Sequence, residues 1–261
     1  MLTVISPAKK LDWSPVPLDS ATEPELKTEA NKLAKVAREL SASELRALMS
    51  ISEPLAKLNA ERFRAFMARP KDEVVKPAAL AFDGDTYTGL QARAFDEATM
   101  GFAQDRLRIL SGLYGVLRPM DRMQPYRLEM GSRLATERGR SLYDWWGDKI
   151  AKALNKQAKA VGATALLNCA SQEYFGAVDR KALRLKVIEP VFLEERDGEA
   201  KTISFFAKRA RGAMARFAME NRIEDPADLR GFALDGYRFR ADGSDETRMI
   251  FARAHPEREA A

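Results

Sequence analysis

Residues 205–222 show the clearest spacing for chemistry, since they place cations and apolar side chains on opposite faces of one predicted helix. Phe206, Ala210, Ala213 and Phe217 recur every three or four residues and define the apolar face. The opposite face is basic and holds Lys208, Arg209, Arg211, Arg216 and Arg222. Such a face either lies in solvent or contacts a polyanion, and the spacing alone leaves both readings open.

Gly212 falls within the basic face of this helix. A glycine inside a helix costs about 1 kcal/mol relative to alanine, so its presence requires a reason. Close approach of a phosphate backbone is one reason, and a neighbouring helix or a local break is the other.

Other basic residues precede this segment. Lys9 and Lys10 follow a predicted strand, and the arginine-rich loop 118–140 also contains Tyr126. Basic groups beside an aromatic ring suit phosphate contact combined with base stacking. The whole chain has 43 Lys and Arg against 38 Asp and Glu, a net charge of +5. This excess favours polyanionic partners, although an ordinary basic protein has the same balance.

The segment between two predicted helices, Ser50 to Ala56, has the spacing of a helix-hairpin-helix element. Ser50 and Ser52 replace its two glycines. Such a hairpin presents backbone N–H groups to a DNA phosphate. Serine resists the positive φ that glycine adopts freely, so an ordinary helical hairpin is the alternative.

Carboxylates form a second set of candidates. Asp83 and Asp85 flank Gly84 and can present oxygens to Mg²⁺, or they simply hydrogen-bond the backbone of a turn. The glycines from Gly84 to Gly89 have P-loop spacing, but Leu90 and Gln91 stand where Lys and Ser or Thr are required. The sequence therefore excludes that phosphate-binding loop.

Cysteine and histidine each occur once, as Cys169 and His255. One cysteine excludes an intrachain disulfide framework, and the pair cannot supply a metal site built from several Cys and His ligands. Because His255 follows the last predicted strand in a polar tail and Cys169 follows an apolar run, the sequence also argues against a Ser-His or Cys-His nucleophile system. We expect Cys169 to be a buried packing residue and His255 to lie in a flexible tail over 255–261. No leader or membrane span is predicted, so we expect a cytoplasmic protein. We expect no cofactor and no metal, with an all-carboxylate metal site as the open alternative because Asp and Glu are plentiful.

The hydrophobic pattern predicts one α+β domain over 1–261, with a mixed sheet and surrounding helices. Strands are predicted at 2–5, 78–82, 164–168, 185–193, 201–206, 232–240 and 246–252. Helices are predicted at 24–40, from a Ser41 or Ser43 cap, at 53–67, at 97–117 and at 142–160.

Several motifs occur in one order along the chain. They are Ile5-Ser6-Pro7-Ala8-Lys9, Ala81-Phe82 with Gly84-Asp85, Leu110-Ser111-Gly112-Leu113-Tyr114-Gly115-Val116-Leu117-Arg118-Pro119, Pro125-Tyr126-Arg127-Leu128-Glu129-Met130, Glu173-Tyr174, and Ala210-Arg211-Gly212. With these motifs the chain resembles the YaaA peroxide-stress family, also known as DUF328 or UPF0246.

This resemblance implies a compact domain with a positively charged cleft and a helix-hairpin-helix element that binds duplex DNA with little sequence preference. It also implies a role in the hydrogen-peroxide response, associated with lower free iron and protection of DNA from Fenton damage. The implied DNA-binding residues are Lys9, Arg118, Arg127, Lys208, Arg211, Arg216, Ser50 and Ser52. No cofactor or established reaction accompanies the family, and we expect a monomer.

Two other functions stay open. The first is an enzyme acting on a nucleic acid or nucleotide, with acid–base or metal-binding roles for residues of the same motifs. Its candidate catalytic residues are Asp83, Asp85, Tyr126, Glu129 and Glu173. The second is direct iron binding through oxygen ligands alone. Steep salt dependence of DNA binding favours the DNA-binding hypothesis, whereas turnover of a substrate favours the enzyme.

Overall fold

A mixed eight-stranded sheet forms the centre of the protein, which a computed structural model describes over residues 1–196 and 199–256. The described strands are β1 (Leu2–Ile5), β2 (Lys10–Leu11), β3 (Lys76–Pro77), β4 (Phe82–Asp83), β5 (Leu107–Ser111), β6 (Gly115–Leu117), β7 (Arg122–Met123), β8 (Ala165–Cys169), β9 (Lys186–Arg196), β10 (Glu199–Lys201), β11 (Arg238–Arg240) and β12 (Arg248–Ala254). Strands β2 with β4, and β3 with β7, form two separate two-stranded ladders.

The main sheet has the order β11-β12-β9-β8-β1-β5-β6, with β10 paired to β9. The strands from β12 to β5 are parallel, whereas β6, β10 and β11 pair antiparallel. Strand β1 lies between β5 and β8, so the chain leaves it on one side and later returns on the other. In parallel sheets such a reversal leaves a crevice beyond the carboxyl ends of the strands, where ligands bind.

Helices cover the sheet. They are α1 (Lys27–Arg38), α2 (Ala42–Met49), α3 (Glu53–Ala65), α4 (Ala78–Ala81), α5 (Asp85–Leu90), α6 (Glu97–Arg106), α7 (Leu142–Trp146), α8 (Lys149–Ala160), α9 (Gln172–Phe175) and α10 (Ser204–Glu220). The longest, α10, packs on β1, β8 and β9. Its buried alanines and methionines form the apolar face that the sequence predicts. The predicted fold class is confirmed.

The backbones of α5 and α10 cross in direct contact at Gly89 and Gly212. A Cβ atom at Gly212 would lie 1.8 Å from the Thr86 carbonyl oxygen, and one at Gly89 would lie 2.1 Å from the Arg209 carbonyl oxygen. Only glycine permits this approach. The neighbouring helix, one of the two reasons left open by the sequence, therefore accounts for Gly212.

The hairpin of α2 and α3 is present where the sequence predicts two helices. Ser41 caps α2, because its Oγ accepts a hydrogen bond from the Glu44 N–H while the Glu44 carboxylate accepts one from the Ser41 N–H. Ser50 follows α2 with φ of 51°, in the left-handed region where glycine is favoured.

Several predicted elements are wrong, among them the strand at 232–240, which is confined to β11 because residues 234–236 form a 3₁₀ turn. The helix predicted at 97–117 ends at Arg106, and the chain continues as β5 and β6. Residues 78–82 form the helical turn α4 and the first residue of β4 instead of a strand. Residues 201–206 contain the end of β10 and the start of α10. At 107–117, the burial of β5 between β1 and β6 overrides a local pattern that suits a helix equally well.

The C-terminal end of the described chain continues the sheet beyond β12. The His255 N–H donates a hydrogen bond to the Glu195 carbonyl at 2.8 Å, and its ring lies against Phe206. Most of the predicted flexible tail, residues 257–261, lies outside the described residues.

Replacement of Gly212 by alanine tests the contact between α5 and α10. The added methyl group overlaps the Thr86 carbonyl, so we expect a loss of about 3 kcal/mol in the free energy of unfolding, as for other overpacked sites. The matched control is Gly101→Ala in α6, where a Cβ meets nothing within 4 Å. That substitution should raise stability by up to about 1 kcal/mol. Urea denaturation measures both, and equal stabilities of the two variants would contradict the contact.

Candidate functional site

A cleft of about 610 Å³ opens at the carboxyl ends of β1 and β8, at the crevice that the sheet topology predicts. Four segments line it: the loop after β1, the turn before α5, the segment after β8 and the start of α10. The lining residues are Ser6, Pro7, Ala8, Lys9, Lys10, Asp83, Gly84, Asp85, Thr86, Cys169, Ser171, Glu173, Tyr174, Thr202, Ser204, Ala207, Lys208 and Arg211. Residues far apart in sequence thus share one concave surface.

The hydroxyl groups of Ser6 and Ser171 connect the two central strand ends. The Ser6 Oγ donates to the Ser171 Oγ at 3.3 Å and accepts the Ser171 N–H at 2.9 Å. The Ser171 Oγ also accepts the Tyr174 N–H at 3.5 Å. Because that oxygen only accepts in these contacts, its own proton remains available to a ligand in the cleft.

Two cations of α10 face the cleft without a counter-charge. Lys208 is exposed and Arg211 is half-buried, and neither has an ion pair within residues 1–196 and 199–256. Across the cleft, Lys9 lies 3.7 Å from Glu129 and Lys10 lies 2.5 Å from Asp83. The positive charge on the α10 side is therefore the part that protein carboxylates leave uncompensated.

Carboxylates occupy other parts of the same surface. The Glu173 Oε1 accepts the Gly131 N–H at 3.0 Å, which fixes the orientation of this side chain. Asp83 pairs with Lys10, and Asp85 begins α5. The cleft thus presents both an anion-binding side and hydrogen-bond acceptors.

A smaller hollow beside the cleft shares Lys9 and Tyr174 with it and is also lined by Tyr126, Arg127 and Glu129. The Arg127 Nε donates to the Glu129 Oε1 at 3.0 Å, while the buried Glu129 Oε2 has no hydrogen-bond partner. The Tyr126 hydroxyl lies 2.5 Å from the Ser111 Oγ. Burial raises the pKa of Tyr126 well above its usual range, so this phenol stays protonated near neutral pH.

The remaining predicted site residues lie outside the lining of the cleft as described. Arg118 forms a 2.8 Å ion pair with buried Asp121, and Arg216 forms one of 2.7 Å with Glu220. Ser50 and Ser52 lie in the turn between α2 and α3. Among the predicted cations, the structure brings Lys9, Lys208 and Arg211 to the cleft itself.

Sequence reasoning missed Ser6 and Ser171 as site residues. Both lie just beyond the carboxyl end of a central parallel strand, a position typical of ligand-binding residues. That position is a usable signal, although the sequence does not reveal that β1 and β8 are neighbours.

Cys169 lies at the inner end of the cleft and is almost entirely buried. Burial raises the pKa of its thiol to about 12, and nearby Arg211 offsets only part of this effect. The expectation of a buried packing residue is confirmed.

Residues 1–196 and 199–256 lack two further features that would point to other functions. Within the described ranges, no three His, Cys, Asp or Glu side chains group in a way that could hold a metal ion. In the same ranges, no helix has the length and apolarity needed to cross a membrane.

Comparison with known proteins gives extensive similarity. The sequence model of a family described as Peroxide stress protein YaaA matches residues 1–243. A UPF0246 protein of Dinoroseobacter shibae is 60% identical over 257 residues, which cover 98% of this chain and 96% of that protein. A UPF0246 protein of Cereibacter sphaeroides is 58% identical over 258 residues, covering 97% of this chain and 100% of that protein. One of Phenylobacterium zucineum is 56% identical over 257 residues, covering 98% and 96%.

Thiol labelling tests the environment of Cys169. At pH 7, a pKa of about 12 leaves roughly one thiolate in 10⁵ molecules, and burial also limits access to it. We expect the folded protein to react with a disulfide reagent at least ~1,000-fold more slowly than the same protein in guanidinium, where its single cysteine is exposed. Equal rates in the two states would show that the thiol is not buried.

Proposed function

The chain belongs to the peroxide stress protein YaaA family, and we propose that it is a cytoplasmic protein that binds duplex DNA through the cleft and so helps protect DNA during hydrogen-peroxide stress. The observation that carries the proposal is the uncompensated charge of Lys208 and Arg211 on one wall of the cleft. A cation paired with a protein carboxylate is largely neutralised, whereas an unpaired cation can attract an external anion. Residues three apart share one helix face, so both cations can reach the same anionic ligand.

The α2–α3 hairpin is the second contact in this proposal. Ser50 adopts the left-handed conformation that the first glycine of a helix-hairpin-helix supplies. Ser52 stands at the N-cap of α3 and makes no side-chain capping bond, so the N–H groups of Glu53 and Leu55 are left for another acceptor, while Pro54 between them has none. Glu53 in the same turn pairs with Lys57 at 2.7 Å, which reduces its repulsion of a phosphate.

Contacts of this kind reach the phosphate backbone and carry no base information, which supports binding with little sequence preference. The resemblance also implies an association with lower free iron. That part of the proposal rests on the family alone.

A second candidate is an enzyme acting on nucleic acid, favoured by Glu173 and the free Ser171 proton on the same cleft. Glu173→Gln retains the oxygen that accepts the Gly131 N–H, so we expect the variant to fold normally. If Glu173 is the general acid or base, product formation from labelled DNA should fall by about 100-fold or more. Gel analysis of single-stranded and duplex substrates measures this. No turnover by the wild type, or equal turnover by both proteins, would exclude this role.

The DNA-binding proposal predicts the salt dependence of two matched variants. Each phosphate contact contributes about 0.9 to the slope of log K against log salt concentration. Lys208→Gln/Arg211→Gln should therefore lower that slope by roughly two and weaken binding to unrelated duplexes equally. The control Lys159→Gln/Lys181→Gln removes the same charge from two exposed lysines that lie away from the cleft and form no ion pair within residues 1–196 and 199–256, and it should leave the slope unchanged.

Fluorescence anisotropy of labelled duplexes across a salt series measures both variants. Equal losses of DNA affinity in the cleft variant and the control variant would show that the effect depends on net charge alone. An unchanged cleft pair, or no binding by the wild type at low salt, would overturn the proposal.

A further inference from the structure

Phe205 is the most exposed large hydrophobic side chain in the described part of the chain, with 54% of its surface accessible. It is the second residue of α10, and its ring lies edge-to-face with that of Phe206, with ring centres 5.5 Å apart. Phe206 packs inward against Arg253 and His255. The ring of Phe205 therefore contributes little to the core and remains available at the surface.

The position of Phe205 relates it to the cleft. Its neighbours Ser204 and Lys208 both line the cleft, and residues three apart on a helix lie side by side. Phe205 thus stands at the rim, next to one of the two uncompensated cations. Ile203, at the N-cap of α10, is a second partly exposed apolar side chain at this end of the helix, with 36% of its surface accessible. An apolar rim beside cations fits a ligand with both charged and aromatic parts.

The interior of the cleft is not suited to phosphates alone. Glu173, Asp83 and Asp85 line it and would repel a phosphate backbone that entered deeply. A carboxylate is instead a good acceptor for the amino and imino N–H groups on the edge of a base. The volume of about 610 Å³ falls in the range of small-molecule sites and is far too small for a duplex.

From this arrangement we infer that the cleft receives a single nucleotide displaced from the DNA stack, while the Phe205 ring fills the space that its base leaves. The inference rests on the proposed function, since it concerns the same DNA and the same cleft. Lys208 and Arg211 hold the phosphates that flank the displaced nucleotide, and Glu173 and the Ser171 hydroxyl face its base. Stacking on Phe205 offsets part of the cost of removing the base from the duplex.

The experiment uses the full chain and a duplex with one central 2-aminopurine, whose emission is quenched while it is stacked. Wild-type protein should raise that emission several-fold at saturation. Phe205→Ala should remove at least half of the increase in emission. The duplex affinity should change by less than about five-fold, because the variant loses the favourable stacking on Phe205 but also avoids the cost of unstacking the base. Met67→Ala, which shortens another exposed apolar side chain, is the control and should behave as wild type.

Cross-linking locates the displaced base. A duplex with 4-thiothymidine at the same position should cross-link, under long-wavelength light, to the tryptic peptide 160–180, which contains Ser171 and Glu173. A cross-link confined to peptides outside the cleft would overturn the inference.

Anisotropy on the same samples separates the two proposals. Salt-sensitive binding without a rise in emission overturns the displaced nucleotide and leaves the proposed function intact. Absence of binding overturns both. An emission rise that is identical in wild type and Phe205→Ala removes Phe205 from the inference and overturns it as stated.

Discussion

The backbone contact between α5 and α10 at Gly89 and Gly212 is the constraint on which the shape of the cleft depends. Residues 83–86 precede and begin α5, and Lys208 and Arg211 lie on α10, so the distance between these two walls follows from how closely the helices approach. A glycine in a basic helix face is then explained by packing. The close contact brings a turn rich in carboxylates next to cations and sets the polarity of the cleft.

Charge pairing, as well as net charge, decides which basic residues can contact an external anion. The excess of basic residues is only five, and many arginines are already neutralised locally. Arg118 with Asp121, Arg127 with Glu129 and Arg216 with Glu220 hold parts of the fold together. A paired arginine can still contact a phosphate, but its partner carboxylate opposes that contact. The wall formed by α10 lacks this opposition.

The sequence predicted elements well where one local pattern sufficed. The amphipathic spacing of α10 identified Lys208 and Arg211 together, and the serines before Glu44 limited the start of α2 to Ser41 or Ser43. It failed where tertiary contacts decide, as in β5, whose residues suit a helix or a buried strand equally. The Ser6–Ser171 contact spans 165 residues and exists because β1 and β8 pair in parallel. No local pattern contains that pairing, so these hydroxyls could not be placed from sequence.

The burial of cysteine and methionine side chains bears on their resistance to oxidation, in a family named for peroxide stress. Thiolates are the reactive form of cysteine, and oxidation follows thiolate character and exposure. Cys169 lies at the inner end of the cleft, yet burial raises its pKa to about 12 and keeps it protonated. Most methionines are buried as well, including Met214 and Met219 on the inner face of α10. Oxidation of those thioethers would place polar groups in the buried contacts of α10, the helix that carries Lys208 and Arg211. Burial of these methionines therefore protects α10, and with it the position of Lys208 and Arg211, from oxidation by peroxide.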